Sequence, residues 1–170
     1  MQVLFYAHQE KIESTREEFI MKYHDVIIRW SKIATLLFIA MVVVGDVFGI
    51  VITQYICYIW AEVFDPARLA ALSVVYYLGT AGAYVILISL FKLLSNMGKD
   101  IVFDRRNTKL MNLMAYALVA IAVDCMVGGF IWSGAFFLSI LALFMGLVVQ
   151  SVRVVFDKAI TMKEELDLTI

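Results

Sequence analysis

Residues 110–156 read LMNLMAYALVAIAVDCMVGGFIWSGAFFLSILALFMGLVVQSVRVVF, and this stretch decides the fold. Two apolar runs, 110–131 and 134–156, meet at a group of small residues, Gly128, Gly129, Ser133 and Gly134. Each run is at or above the ~20 residues that cross a hydrocarbon core. In lipid only a helix satisfies its backbone hydrogen bonds within one segment, so both runs are read as helices. The small residues between them make a tight turn, which leaves the two helices antiparallel and adjacent.

Working outward, two further apolar runs of spanning length lie at 69–94 and 33–59. The 69–94 run is preceded by Asp65 and Pro66, the only proline; a capping carboxylate and a ring that needs no N–H mark a helix start. The expected fold is therefore all-α, an integral membrane four-helix bundle over residues 33–156. Composition agrees: 63% of the chain is hydrophobic and 17% charged, against the ~45 to 50% apolar content of soluble domains. A net charge of −1 supplies no basic patch for direct nucleic acid binding. The first 32 residues carry mixed charge rather than a short basic start, so no cleaved signal peptide is expected.

Orientation follows from the cations, which accumulate on cytoplasmic flanks. Lys11, Arg16, Lys22, Arg29 and Lys32 precede the first run, Lys92, Lys99, Arg105, Arg106 and Lys109 follow the second, and Arg153, Lys158 and Lys163 follow the fourth. The other two connectors share only Arg68. Both termini are thus expected in the cytoplasm, with the lipid bilayer as the protein's first partner. Trp30, Phe91, Phe103 and Phe156 suit the inner interfacial belt, and Tyr58, Trp60, Phe130 and Trp132 the outer one. In residues 1–32, Ser14 and Glu17 form a capping box before an apolar stripe of Phe19, Tyr23, Ile27 and Trp30. That pattern reads as an amino-terminal amphipathic helix on the inner surface, or equally as an extension of the first span. Residues 157–170 are expected to form a cytoplasmic tail.

Two carboxylates lie inside the spans, Asp46 and Asp124. Each costs ~2.5 to 3.5 kcal/mol at the centre of an inserted helix, so each needs compensation. At ~1.5 Å per residue both lie roughly 20 Å from the inner boundary, which places them at one level. Tyr77 and Thr80 offer hydroxyls on the second span. The pairs Gly45 with Gly49 and Gly79 with Ala83 are small-x-x-x-small patterns that permit close helix approach. The expectation is that the aspartates are protonated, hydrogen-bonded glue between helices; a cation or proton site built from Asp46, Asp124, Tyr77 and Thr80 is the alternative. Cys57 and Cys125 read as buried thiols rather than a bridge, His8 and His24 as surface residues, and Arg153 with Asp157 as a local ion pair. No nucleophile-and-base pair, phosphate loop or metal spacing occurs, so neither an enzyme nor a cofactor is expected.

Two stretches carry a likeness to a known family. Phe91-Lys92-Leu93-Leu94 through Gly98, Phe103, Asn107 and Leu110 follows a pattern of helix end, glycine, phenylalanine and an Asn-led return into the membrane. The closing run Glu164-Glu165-Leu166-Asp167-Leu168-Thr169-Ile170 is similar to an ending in Glu-Asn-Asp-Leu-Thr-Ile, with Leu166 at the usual asparagine. On these, residues from about Ile28 onward resemble the YoaS-like bacterial membrane proteins, domain of unknown function 2975. The resemblance implies a four-helix membrane protein often encoded beside a small Cro-like helix-turn-helix repressor, and it implies no activity.

The functional expectation is a non-enzymatic membrane partner of a cytoplasmic transcription regulator. Its docking surface would comprise Arg105 and Arg106 of the basic connector and Glu164, Glu165 and Asp167 of the acidic tail. The alternatives are a small cation or proton channel, which four helices can enclose only as a homo-oligomer, and immunity to a membrane-active peptide.

Overall fold

A computed structural model describes residues 2–61, 66–99, 101 and 104–167, together with most side chains from Val26 onward. The chain forms five helices, α1 (Gln2–Val47), α2 (Gly49–Ala61), α3 (Pro66–Met97), α4 (Arg105–Gly128) and α5 (Gly134–Asp167). Four of them are long and apolar enough to cross a membrane: α1 through its 22 residues Val26–Val47, and α3, α4 and α5. Pro66 opens α3 as its ring geometry favours; Asp65, Phe103 and residues 168–170 lie outside the described residues.

Helix α1 follows the second of the two amino-terminal readings, an extension of the apolar run, and departs from expectation at its carboxyl end. Its backbone is unbroken from Gln2, so Ser14 and Glu17 lie inside the helix and do not begin one. The residues before Ser14 are mostly helix formers, and a capping box is only a local signature that a favourable upstream sequence overrides. The amino-terminal segment is thus an extension of the first span, although the side chains of Phe19, His8 and His24 lie outside the described residues. At the other end the expected 33–59 helix is interrupted at Phe48. Glycines at 45 and 49 weaken the helix there, and Thr53 Oγ1 donates back to the Gly49 and Ile50 carbonyls, both at 3.0 Å. Such back-bonding bends helices. The backbone ladder still crosses the break, through Phe48 N to Val44 O and Ile52 N to Phe48 O.

Among the described residues, α3 touches α1, α2 and α4, and α4 touches α5, but α1 meets neither α4 nor α5. The long helices therefore pack in chain order, α1 on α3, α3 on α4 and α4 on α5, and α2 shares a cavity wall with α5. Short connectors dictate which helices are neighbours, whereas nothing in lipid forces the first to meet the last, because acyl chains cover an apolar helix face as well as leucine does. Burial is inverted relative to a water-soluble protein. Thr35, Thr53, Ser89, Asn107, Thr108 and Ser139 are buried, while Leu37, Phe38, Met41, Phe137, Ile140 and Leu147 face outward. That distribution suits a hydrocarbon surround.

Candidate functional site between the helices

Helix α3 stands at the centre, and its two faces treat the two aspartates differently. On the side facing α1 and α2, Tyr84 Oη donates to Asp46 Oδ2 at 2.8 Å, and Tyr77 Oη donates to the Asp46 carbonyl at 3.3 Å. Tyr76 and Tyr77 pack edge to face, with ring centroids 5.4 Å apart. The glycines make room for these rings: a Cβ on Gly45 would lie 3.1 Å from Tyr76 Oη, and one on Gly49 would lie 2.7 Å from Tyr76 Cε1. Gly45 and Gly49 therefore admit tyrosines rather than the backbone of another helix. Further toward the α2–α3 connector, the hydroxyls of Thr53 and Ser73 meet at 3.2 Å. Asp46 Oδ1 is buried and has no hydrogen-bond partner.

On the opposite side α3 meets α4 in one sustained antiparallel register. A Cβ on Gly79 would lie 3.4 Å from Asp124 Oδ2, one on Gly82 2.7 Å from Ile121 Cγ1, and one on Gly128 2.8 Å from Val75 Cγ1. Gly79 and Gly82 both lie at this contact, with Gly82 the tighter of the two. Ala83 lines a cavity of about 280 Å³ walled by α2, α3, α4 and the start of α5, with Thr80, Asp124 and Cys125 also on its surface. Thr80 Oγ1 donates within its own helix to the Tyr77 carbonyl at 3.1 Å. Asp124 Oδ2 is buried and unpartnered. The cysteines are both free thiols.

The four residues proposed from sequence as one polar site are therefore divided. Asp46 meets Tyr77 and Tyr84 on the α1-facing side of α3, whereas Asp124 lies against Gly79 on the α4 side; Thr80, on the face of Tyr77, lines the same cavity as Asp124, and α1 does not reach α4 among the described residues. The two carboxylates do not face one another. Sequence reasoning also missed Tyr84 as the donor to Asp46. Tyr84 belongs to the same helical stripe as Tyr77 and Thr80, but only the register between α1 and α3 singles it out.

The α3–α4 connector and the end of α5 make a second polar cluster. Asn107 is fully buried; its Oδ1 accepts from Asn96 Nδ2 at 2.8 Å and its Nδ2 donates to the Ile101 carbonyl at 2.7 Å. Asp104 caps α4 by accepting from Arg106 N at 2.7 Å. Arg105 grips Glu164 with two bonds, Nε to Oε1 at 3.0 Å and a terminal nitrogen to Oε2 at 2.7 Å. The Arg105 guanidinium holds the Glu164 carboxyl below the usual carboxylate range through these bonds. Two of the five residues expected to dock a partner are thus engaged with each other; Arg106 and Glu165 are exposed, and the Asp167 side chain lies outside the described residues. Arg153 donates to Asn112 Oδ1 at 2.9 Å in place of the expected pair with Asp157, because the packed α4 presents a nearer acceptor.

Residues 53–170 match the family described as "Protein of unknown function (DUF2975)". The chain belongs to this family. The match begins in α2, so the cavity around Asp124 and the α4–α5 clasp fall inside the family region, and Asp46 falls outside it. No curated protein and no solved structure matches the chain.

Proposed function

We propose that this family member is a non-enzymatic protein of the bacterial plasma membrane, with both ends in the cytoplasm, that works by docking a cytoplasmic protein, a transcription regulator, on the end of α5. The observation that carries this reading is the form of the tail. Helix α5 continues without a break from the apolar span to Asp167, roughly 16 Å beyond Phe156 at the helical rise. Arg105 on α4 holds it by Glu164, and Ile160 is buried at 3% exposure. On its outer side Met162 and Leu166, one turn apart, are 58% and 67% exposed. An apolar pair on a charged, held helix is the arrangement that helix-in-groove recognition uses. The cation distribution supports the orientation, since thirteen of the fourteen lysines and arginines flank the proposed inner side.

The test is co-purification from membranes. The intact chain should retain a helix-turn-helix regulator, and the double variant Met162→Glu, Leu166→Glu should release it; equal retention by the variant would overturn the docking surface. Orientation is read separately with Arg106→Cys, which should react with an impermeant thiol reagent only after the cells are opened. Labelling of intact cells at that position would reverse the topology.

The alternative of a single ion pathway through Asp46 and Asp124 draws less support, because α3 stands between them.

A further inference from the structure

The cavity of about 280 Å³ beside Asp124 is not needed for the docking reading, and its chemistry points to an occupant. Its wall is overwhelmingly apolar, contributed by side chains such as Ile56, Leu72, Val75 and Ile121. The threonine hydroxyls on it are already engaged: Thr53 with the Gly49 and Ile50 carbonyls and with Ser73, Thr80 with the Tyr77 carbonyl. Asp124 Oδ2 is different, being a buried acceptor with no donor from the chain. No lysine, arginine or histidine lines the cavity. A buried carboxylate without a partner is costly, and a cationic donor is what relieves the cost. Tyr76 and Trp132 also line the space, and aromatic faces attract cations in desolvated sites. Apolar and aromatic walls with a few polar groups, the Asp124 carboxylate the one formal charge among them, describe a small-molecule site.

We propose that this cleft binds a small organic ammonium ion with an apolar body, its N–H donating to Asp124 and its body lying against the α2, α4 and α5 walls. The volume holds on the order of ten heavy atoms at the ~30 Å³ each that a water occupies in the liquid. Asp46 does not offer an equivalent site: Tyr84 already donates to it, and it does not line the cavity. The same ammonium chemistry is available from a free amine or from an ethanolamine lipid headgroup, and the experiment separates the two sources.

The probe is radiolabelled 2-phenylethylammonium, with 2-phenylethanol as its uncharged counterpart. The full chain is placed in phosphatidylglycerol nanodiscs, and binding to empty discs is subtracted. Saturable binding is expected, with Asp124→Asn weakening it at least about tenfold, in line with truncating one partner of a desolvated charge pair. Ala83→Leu, which fills the cleft without touching the carboxylate, should abolish it, and Asp46→Asn should leave it in place. 2-Phenylethanol should bind wild type and Asp124→Asn equally. The proposal is overturned by absence of saturable binding to wild type, by wild-type affinity in either Asp124→Asn or Ala83→Leu, or by an equal loss in Asp46→Asn. Adding phosphatidylethanolamine assigns the source: competition with the probe identifies a headgroup, and lack of competition a free amine, the site being upheld in both cases.

Discussion

The two faces of α3 carry the same problem and answer it in opposite ways. Facing α1, the tyrosines supply Asp46 with a hydroxyl donor, and glycines on α1 and α2 clear the space those rings need. Facing α4, glycines bring the helices together and leave Asp124 Oδ2 beside a cavity with no donor among the described residues. Residue type is shared, so it does not explain the contrast. What differs is the neighbour: a long polar side chain ties a carboxylate into the structure, whereas a stripe of small residues leaves it available. The first arrangement is interhelical glue, and the second has the form of a site.

The most severe way to break the comparison is to destroy the face that leaves Asp124 free. Gly82→Val places a Cβ 2.7 Å from Ile121 Cγ1, and overpacking of this kind costs about 1 to 3 kcal/mol. Unfolding in detergent should show that loss, and Leu78→Val, a small change at an exposed position of the same helix, serves as the unaffected reference. A Gly82→Val protein as stable as wild type would mean that α3 and α4 do not pack in this register.

A more discriminating test exchanges the carboxylates themselves. Asp46→Leu removes the acceptor of Tyr84 and should lower stability by about 1 kcal/mol, the scale of side-chain hydrogen bonds inside membranes. Tyr84→Phe should move stability in the same direction, and the double variant should lose little more than either single one. Asp124→Leu breaks no bond and replaces a buried unpartnered oxygen with methyl groups, so stability should hold or rise. The reverse order for the two leucine variants would invert the roles assigned to the two faces.

The smallest effect sharpens the contrast with a carboxylate beyond the apolar span. Arg105 lowers the pKa of Glu164, so the contribution of this pair is fully present above the unfolded value, about 4.3, and fades as pH falls through the lowered folded value. Arg105 stays charged throughout. Protection of the amides along residues 160–166, taken relative to their intrinsic exchange at each pH, should fall on acidification below pH ~4, and Glu164→Gln should show the lowered protection already at neutral pH. An exposed pair of this kind contributes little, so the response should be confined to the end of α5.

Much of this molecule was legible before its coordinates. The runs at 69–94, 110–131 and 134–156 correspond to α3, α4 and α5, and Gly128 and Gly134 bracket the turn between the last two. The aspartates stood out because a carboxylate inside an apolar run is conspicuous in any reading. Which helices touch was not legible: among the described residues α1 packs on α3 and reaches neither α4 nor α5, and Asp46 takes its hydroxyl donor from Tyr84. The capping box at Ser14 also misled, since a motif of four residues says nothing about whether the helix has already begun upstream. Tyr84 was visible within the right stripe but could not be told apart from its neighbours there.

What the sequence determined alone is the number of helices long and apolar enough to cross a membrane, their approximate limits and the antiparallel order of neighbours. These depend on single segments, because the thickness of hydrocarbon and the need to satisfy a backbone act on each run separately. The tertiary structure decided which carboxylate acquires a donor and which faces a cavity. That outcome depends on how each helix is rotated about its axis and in what register it meets the next, and the residues concerned, such as Asp46 and Tyr84, are brought together only by packing.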